Sequence, residues 1–117
     1  MILKDSMFTV TGGTPDKVMV RLNADHTIYQ AHFPGNPITP GVCIVQMIGE
    51  LLGDRCGRRL SLTQIVNLKF VAPISPVETP DIEISFQSVD DNGTACKAKG
   101  TIMAGGALLT KFSIIYQ

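Results

Sequence analysis

One run of residues, Val42 to Leu52, limits what this chain can fold into more than any other. Within it the only strongly polar side chains are Gln46 and Glu50. A helix that is apolar nearly all round must be buried, and this is the one such segment in a chain that otherwise reads as strands. The spacing predicts a helix beginning at Pro40, with Thr39 as its N-cap and Gly53 or Gly57 as its end. The chain has 117 residues, of which 44% are hydrophobic. That suffices for one core and one domain spanning 1–117.

The remaining segments alternate or end in turn residues. Phe8–Thr11 and Lys17–Leu22 read as strands around the turn cluster Gly12-Gly13-Thr14-Pro15-Asp16. Thr27–Ala31 reads as a short extended piece. Leu60–Val71 is a long strand closed by Pro73 and Pro76. In Asp81–Val89, Ile82, Ile84 and Phe86 alternate with Glu83, Ser85 and Gln87. Asp90-Asp91-Asn92-Gly93 is a turn, followed by the strands Thr94–Met103 and Ala107–Tyr116. One antiparallel sheet wrapped on one helix satisfies this order in α+β form. Such a sheet must hide its edges, and joining two sheets edge to edge in a dimer would do so.

Charge and cysteine content narrow the partners. Ten Lys and Arg balance ten Asp and Glu, which gives no reason to expect nucleic acid. No apolar run is long enough to span a membrane. The start, Met1 to Asp5, has no apolar core of the signal-peptide kind. Cys43, Cys56 and Cys96 have no metal-type spacing, so a reduced, cytoplasmic protein without a metal or other cofactor is expected. Cys43, inside the apolar helix, reads as a small core residue rather than a nucleophile.

Just before the helix lies His32-Phe33-Pro34-Gly35-Asn36-Pro37-Ile38-Thr39-Pro40-Gly41-Val42. Its three prolines fix φ and exclude both a helix and a central strand. A rigid loop that carries an imidazole into a buried helix is a plausible active-site build, since histidine titrates near neutral pH. The pattern His-Phe-Pro-x-x-Pro-x-x-Pro-Gly-Val resembles the loop of the β-hydroxyacyl-acyl carrier protein dehydratases, which have the hotdog fold. Every fixed position is filled, and the strand order agrees over nearly the whole chain.

The resemblance implies a hotdog fold, an acyl carrier protein as the bearer of the substrate, and a homodimer with the site shared between subunits. It implies His32 as catalytic base or acid, Gly41 as the N–H donor to the thioester carbonyl, and substrate contacts at Phe33, Gly41 and Val42. It also implies a cis peptide after His32. The catalytic carboxylate of the family belongs fourteen positions after the histidine, where this chain has Gln46. Four residues on, where the dehydratases usually carry Gln, it has Glu50. Residues i and i+4 share a helix face.

Two readings of each helix residue stand. Gln46 is a structural contact across the dimer, or an amide that orients substrate or water. Glu50 is a solvated member of the stripe Gln46, Glu50, Asp54, Arg58, pairing toward Arg58, or it is the displaced catalytic acid. Arg55, Arg58 and Arg59 are a solvated helix end or a contact for an acidic carrier protein. The leading functional reading is dehydration of a 3-hydroxyacyl thioester. The alternatives are a hotdog thioesterase, with Glu50 as its carboxylate, and a degenerate acyl-binding subunit that completes a heterodimer.

Overall fold

The computed structural model describes residues 2–31 and 35–117. The elements are β1 (Phe8–Thr14), β2 (Lys17–Leu22), α1 (Thr27–Ala31), α2 (Gly41–Cys56), β3 (Leu62–Phe70), β4 (Asp81–Asp91), β5 (Cys96–Ala104) and β6 (Ala107–Tyr116). The six strands form one sheet in the order β1-β2-β4-β5-β6-β3. Every pairing is antiparallel. This is the hotdog arrangement expected from one apolar helix in a strand-rich chain.

The helix is buried as its composition requires. Cys43, Ile44, Val45, Met47, Ile48, Gly49, Leu51 and Leu52 are inaccessible. They join Ile82, Ile84 and Phe86 of β4, Ala98 and Ile102 of β5, and Phe112, Ile114 and Tyr116 of β6 in one core. Tyr116 locks helix to sheet: its hydroxyl donates to the Val45 carbonyl at 2.7 Å. A Cβ on Gly49 would lie 2.7 Å from the Tyr116 ring, so that close approach needs glycine. Gly57 ends the helix in the left-handed region, at φ 73°, where a side chain would be strained.

Two local expectations fail. Thr27–Ala31 is helical, not extended. The Asp25 N–H bonds the Asn23 side chain, the His26 N–H bonds the Asn23 carbonyl, and the Ile28 N–H bonds His26 Nδ1. That turn launches a short helix whose Tyr29 is buried, and burial outweighs the local extended preference. Thr39 does not cap α2. Its hydroxyl shares a 2.9 Å hydrogen bond with the Tyr29 hydroxyl inside the protein, and Pro40 occupies the N-cap position without a side-chain cap.

The two edges of the sheet differ. On β1, Thr9, Thr11, Gly12, Gly13 and Thr14 are exposed, with Val10 as the one large apolar side chain among them. On β3, the exposed residues include Leu62, Ile65, Val66 and Phe70. Among the described residues no helix is long and apolar enough to cross a membrane.

Candidate active site

Helix α2 presents different chemistry at its two ends. Its first residue is Gly41, and the Pro40 carbonyl accepts the N–H groups of Cys43 and Ile44. The N–H groups of Gly41 and Val42 precede any intrahelical acceptor and lie at the positive end of the helix dipole. Gly41 borders a cavity of about 350 Å³ that Ile38, Ile44, Phe70, Ala72 and Ile74 make largely apolar. The Phe70 ring covers Gly41 so closely that a Cβ there would lie 2.9 Å from its tip. Val42 does not line this cavity; its side chain is 68% exposed.

The opposite pattern holds further along. Gln46, Glu50, Asp54 and Arg58 share one face, as their spacing predicts, and line a groove of about 770 Å³ with Ile2, Lys4 and other residues. Every acid of the stripe has a partner. Glu50 accepts the Leu3 N–H at 2.8 and 3.1 Å and the Lys4 N–H at 2.8 Å. It also accepts Gln46 Nε2 at 2.8 Å. Asp54 pairs with Lys4 Nζ at 2.7 Å.

Glu50 is therefore not a solvated member of the stripe, and it does not pair toward Arg58. The Arg58 guanidinium instead grips Asp91 with two bonds of 2.8 and 2.9 Å. That contact, helped by the Gly93 N–H, holds the Asp91 carboxyl well below the usual carboxylate range. Arg55 pairs with Asp16 at 2.7 Å. Among the described residues Arg59 makes no ion pair. The expectation of a freely solvated basic helix end holds for Arg59 alone, because two of the three arginines find acids from distant turns.

Cys43 is buried, and burial pushes its thiol up. Cys56 and Cys96 meet at the far end of the helix, Sγ to Sγ 3.9 Å. Burial and then the hydrogen bond to Asp91 push the Cys56 thiol up to about 11. A thiol protonated to that degree is a poor nucleophile at neutral pH.

His32, Phe33 and the peptide bond between them lie outside the described residues. Within one chain the structure brings Gln46 and Glu50 together but places Gly41 on a different cavity. Five residues along an ideal helix rotate about 500° and rise about 7.5 Å, which turns the two positions to different sides. The backbone donors of Leu3 and Lys4 carry no signal in the sequence, because any residue supplies an N–H. Phe70 escapes notice for a similar reason, since an aromatic in a strand usually signals core.

The profile of the ApeI-like family, described as ApeI dehydratase, matches residues 14–107. A 3-hydroxyacyl-[acyl-carrier-protein] dehydratase from Pelotomaculum thermopropionicum is 25% identical over 122 residues, covering 98% of this chain and 86% of the relative. Among solved structures, the dehydratase heterocomplex ApeI:P from Xenorhabdus doucetiae superposes with a TM-score of 0.60 at 16% identity, covering 91% of each chain. A thioesterase from Haemophilus influenzae superposes equally well, with a TM-score of 0.60 at 14% identity over 93% of this chain and 76% of that one. At such identities the superpositions establish the hotdog fold and leave the reaction open.

Proposed function

The chain belongs to the ApeI-like dehydratase family, and on that premise we propose that it removes water from 3-hydroxyacyl thioesters borne by an acyl carrier protein, in fatty acid or related acyl-chain synthesis. The observation that carries this reading is the first turn of α2. Gly41 itself lies at the border of an apolar cavity, directly after the sequence segment that holds His32.

Elimination needs a base for the α proton, a donor for the carbonyl oxygen as it gains charge, and a proton for the departing hydroxyl. His32 takes the α proton. The N–H groups at Gly41 and Val42 stabilise the enolate oxygen, as preorganised backbone donors do. His32 then returns its proton to the 3-hydroxyl, which leaves as water, and the enoyl thioester remains. Gln46 cannot exchange a proton as a carboxylic acid does, so its part is to orient the hydroxyl. Phe33 and Val42 contact the substrate.

The working unit in this reading is a homodimer. Gly41 and Gln46 open to different cavities of one chain, so a site that uses both draws on two copies. The apolar edge strand β3, with Leu62, Ile65, Val66 and Phe70 exposed, is the surface for the second copy. The chain acts as one domain, and its free thiols suit a cytoplasmic location. Hydrolysis with Glu50 as the base fits less well, because three N–H donors already hold that carboxylate.

The test is incubation of the purified protein with a 3-hydroxyacyl carrier protein. Enoyl product is expected, falling about 10²–10⁴-fold in His32→Ala. Free acid in its place would make the protein a thioesterase. Neither product, from a stable homodimer, would overturn the enzymatic reading in favour of a subunit that needs a different partner.

A further inference from the structure

Three neighbouring strands, β5, β6 and β3, carry Lys97, Lys99, Lys111 and Lys69 and contain no aspartate or glutamate. Lys97 and Lys99 flank the core residue Ala98 on β5, and Lys111 precedes the core residue Phe112 on β6. Alternation therefore puts them on the face of the sheet turned away from α2. Lys69 stands directly opposite Lys111, and Lys111 opposite Thr101, two residues from Lys99. All four lysines share one face. None makes an ion pair among the described residues. Like charges directly opposite each other destabilise a sheet, and no acid on these strands offsets the Lys69–Lys111 pair. Asp90 of β4 stands opposite Lys97, so the uncompensated centre is Lys69, Lys99 and Lys111, all exposed.

The patch begins beside the cavity at Gly41. Phe70 and Val71 follow Lys69 in sequence, line that cavity and stay half-exposed. β3 ends at Phe70, so a molecule seated on the lysines reaches the cavity past the end of the strand without crossing the sheet. We propose that Lys69, Lys99 and Lys111 form the docking surface for an acidic acyl carrier protein, whose thioester-bearing arm passes the end of β3 to Gly41. This rests on the dehydratase reading above. Three strands spaced about 4.8 Å apart make a strip about 10 Å wide, which matches one helix of a small acidic protein. The acids of β4 bound the strip on one side, which a broad anionic membrane would also have to face. The basic end of α2 is the rival surface, but Arg58 is spent on Asp91 and Arg55 on Asp16.

Charge reversal in the full-length protein tests this, with Lys69→Glu and Lys111→Glu combined and Arg59→Glu alone. Each is assayed with a 3-hydroxyacyl carrier protein and with the same acyl group on a small synthetic thioester. In the lysine double variant, KM for the carrier substrate should rise about tenfold with kcat unchanged, because surface charge acts on encounter. Turnover of the small thioester should stay within about twofold of the parent, since it has no acidic surface to dock. The parent's carrier KM should rise with salt, and the double variant's should lose most of that dependence. An equal loss on both substrates would place the lysines in general folding or in the site and overturn the docking surface. A carrier KM that moves in Arg59→Glu and not in the lysine variant would give the role to the helix end.

Binding decides the same point without any turnover. Titration of the parent with a holo-acyl carrier protein should shift the backbone amide signals of β3, β5 and β6 around Lys69, Lys99 and Lys111. If the parent makes no enoyl product, the dehydratase reading falls while the titration still judges the surface. Should the double reversal fail to fold, Lys69→Gln with Lys111→Gln removes the charge without opposing it, and the same loss of carrier affinity is expected. Shifts confined to the end of α2, or no shift at all, overturn the proposal. So does a lysine variant that keeps the carrier and loses binding to phosphatidylglycerol vesicles, which would assign the face to anionic lipid.

Discussion

The two ends of α2 follow opposite rules. At Gly41 the walls are apolar, no carboxylate lines the cavity among the described residues, and two backbone N–H groups stand without an intrahelical acceptor. From Gln46 to Arg58 the walls are polar and each acid is held by a donor from a remote part of the chain. Open donors beside an apolar cavity suit an acyl thioester, which brings a carbonyl and a chain. Occupied acids make a scaffold, which holds one amide still and has no proton to spare. One end of the helix thus leaves backbone donors beside an apolar wall, and the other commits its acids to holding the chain.

The sharpest way to break this contrast is Gln46→Glu. From the sequence alone, restoring the acid of the family should raise the rate. The hydrogen bond from Gln46 to Glu50 argues for the opposite outcome. A carboxylate at 46 would meet Glu50 Oε2 where a donor now sits 2.8 Å away, and two like charges cannot both ionise comfortably so close. Gln46→Glu should lower thermal stability and leave turnover no faster than the parent, whereas Gln46→Glu with Glu50→Gln should recover the stability. A faster single variant, read by enoyl formation, would show that the C-terminal half is less committed than its hydrogen bonds indicate.

Two glycines probe packing at the same two ends. Gly49→Ala drives a methyl into the buried Tyr116 ring, whose hydroxyl is tied to the helix backbone. Overpacking of that kind should cost about 1–3 kcal/mol in denaturant unfolding. Gly41→Ala meets only the tip of Phe70, a half-exposed ring that can swing aside. It should cost under about 1 kcal/mol, within the range of tolerated surface changes. Equal costs would mean that the Phe70 lid is rigid.

The thiols at the helix end give a pH test. Cys56 has its pKa raised from 9.0 to about 11. In the unfolded chain it ionises first, so its contribution to stability is complete below pH 9 and is lost as pH rises through 11. Denaturant midpoints should therefore fall between pH 9 and 11, and the slope should flatten in Cys56→Ser. Native protein at pH 8 should react slowly with a thiol reagent and release all three thiols only on unfolding.

The smallest effect belongs near the open end. Thr110, opposite Phe70 in the ladder, is fully buried with a hydroxyl that has no partner among the described residues. Thr110→Val keeps the shape and removes that group, and should stabilise the protein by about 1 kcal/mol. A destabilised variant would show that the hydroxyl is bonded to water or substrate.

Period and turn chemistry in the sequence determined the helix, the strand faces and the loop that marks the family. Those signals are local: Val42–Leu52 is apolar all round, and Ile82, Ile84 and Phe86 alternate, whatever else the chain does. Position 46 and position 50 were also legible as neighbours on one helix face. The roles of polar groups were not, because a hydrogen bond belongs to two partners and the second is often far along the chain. Glu50 is bound by backbone atoms 46 and 47 residues away. Arg58 is claimed by Asp91, Thr39 by Tyr29, and Cys56 lies against Cys96. Only the closing of the sheet around α2 brings those partners together, and their meeting turns the stripe from apparent surface charge into the frame that holds Gln46.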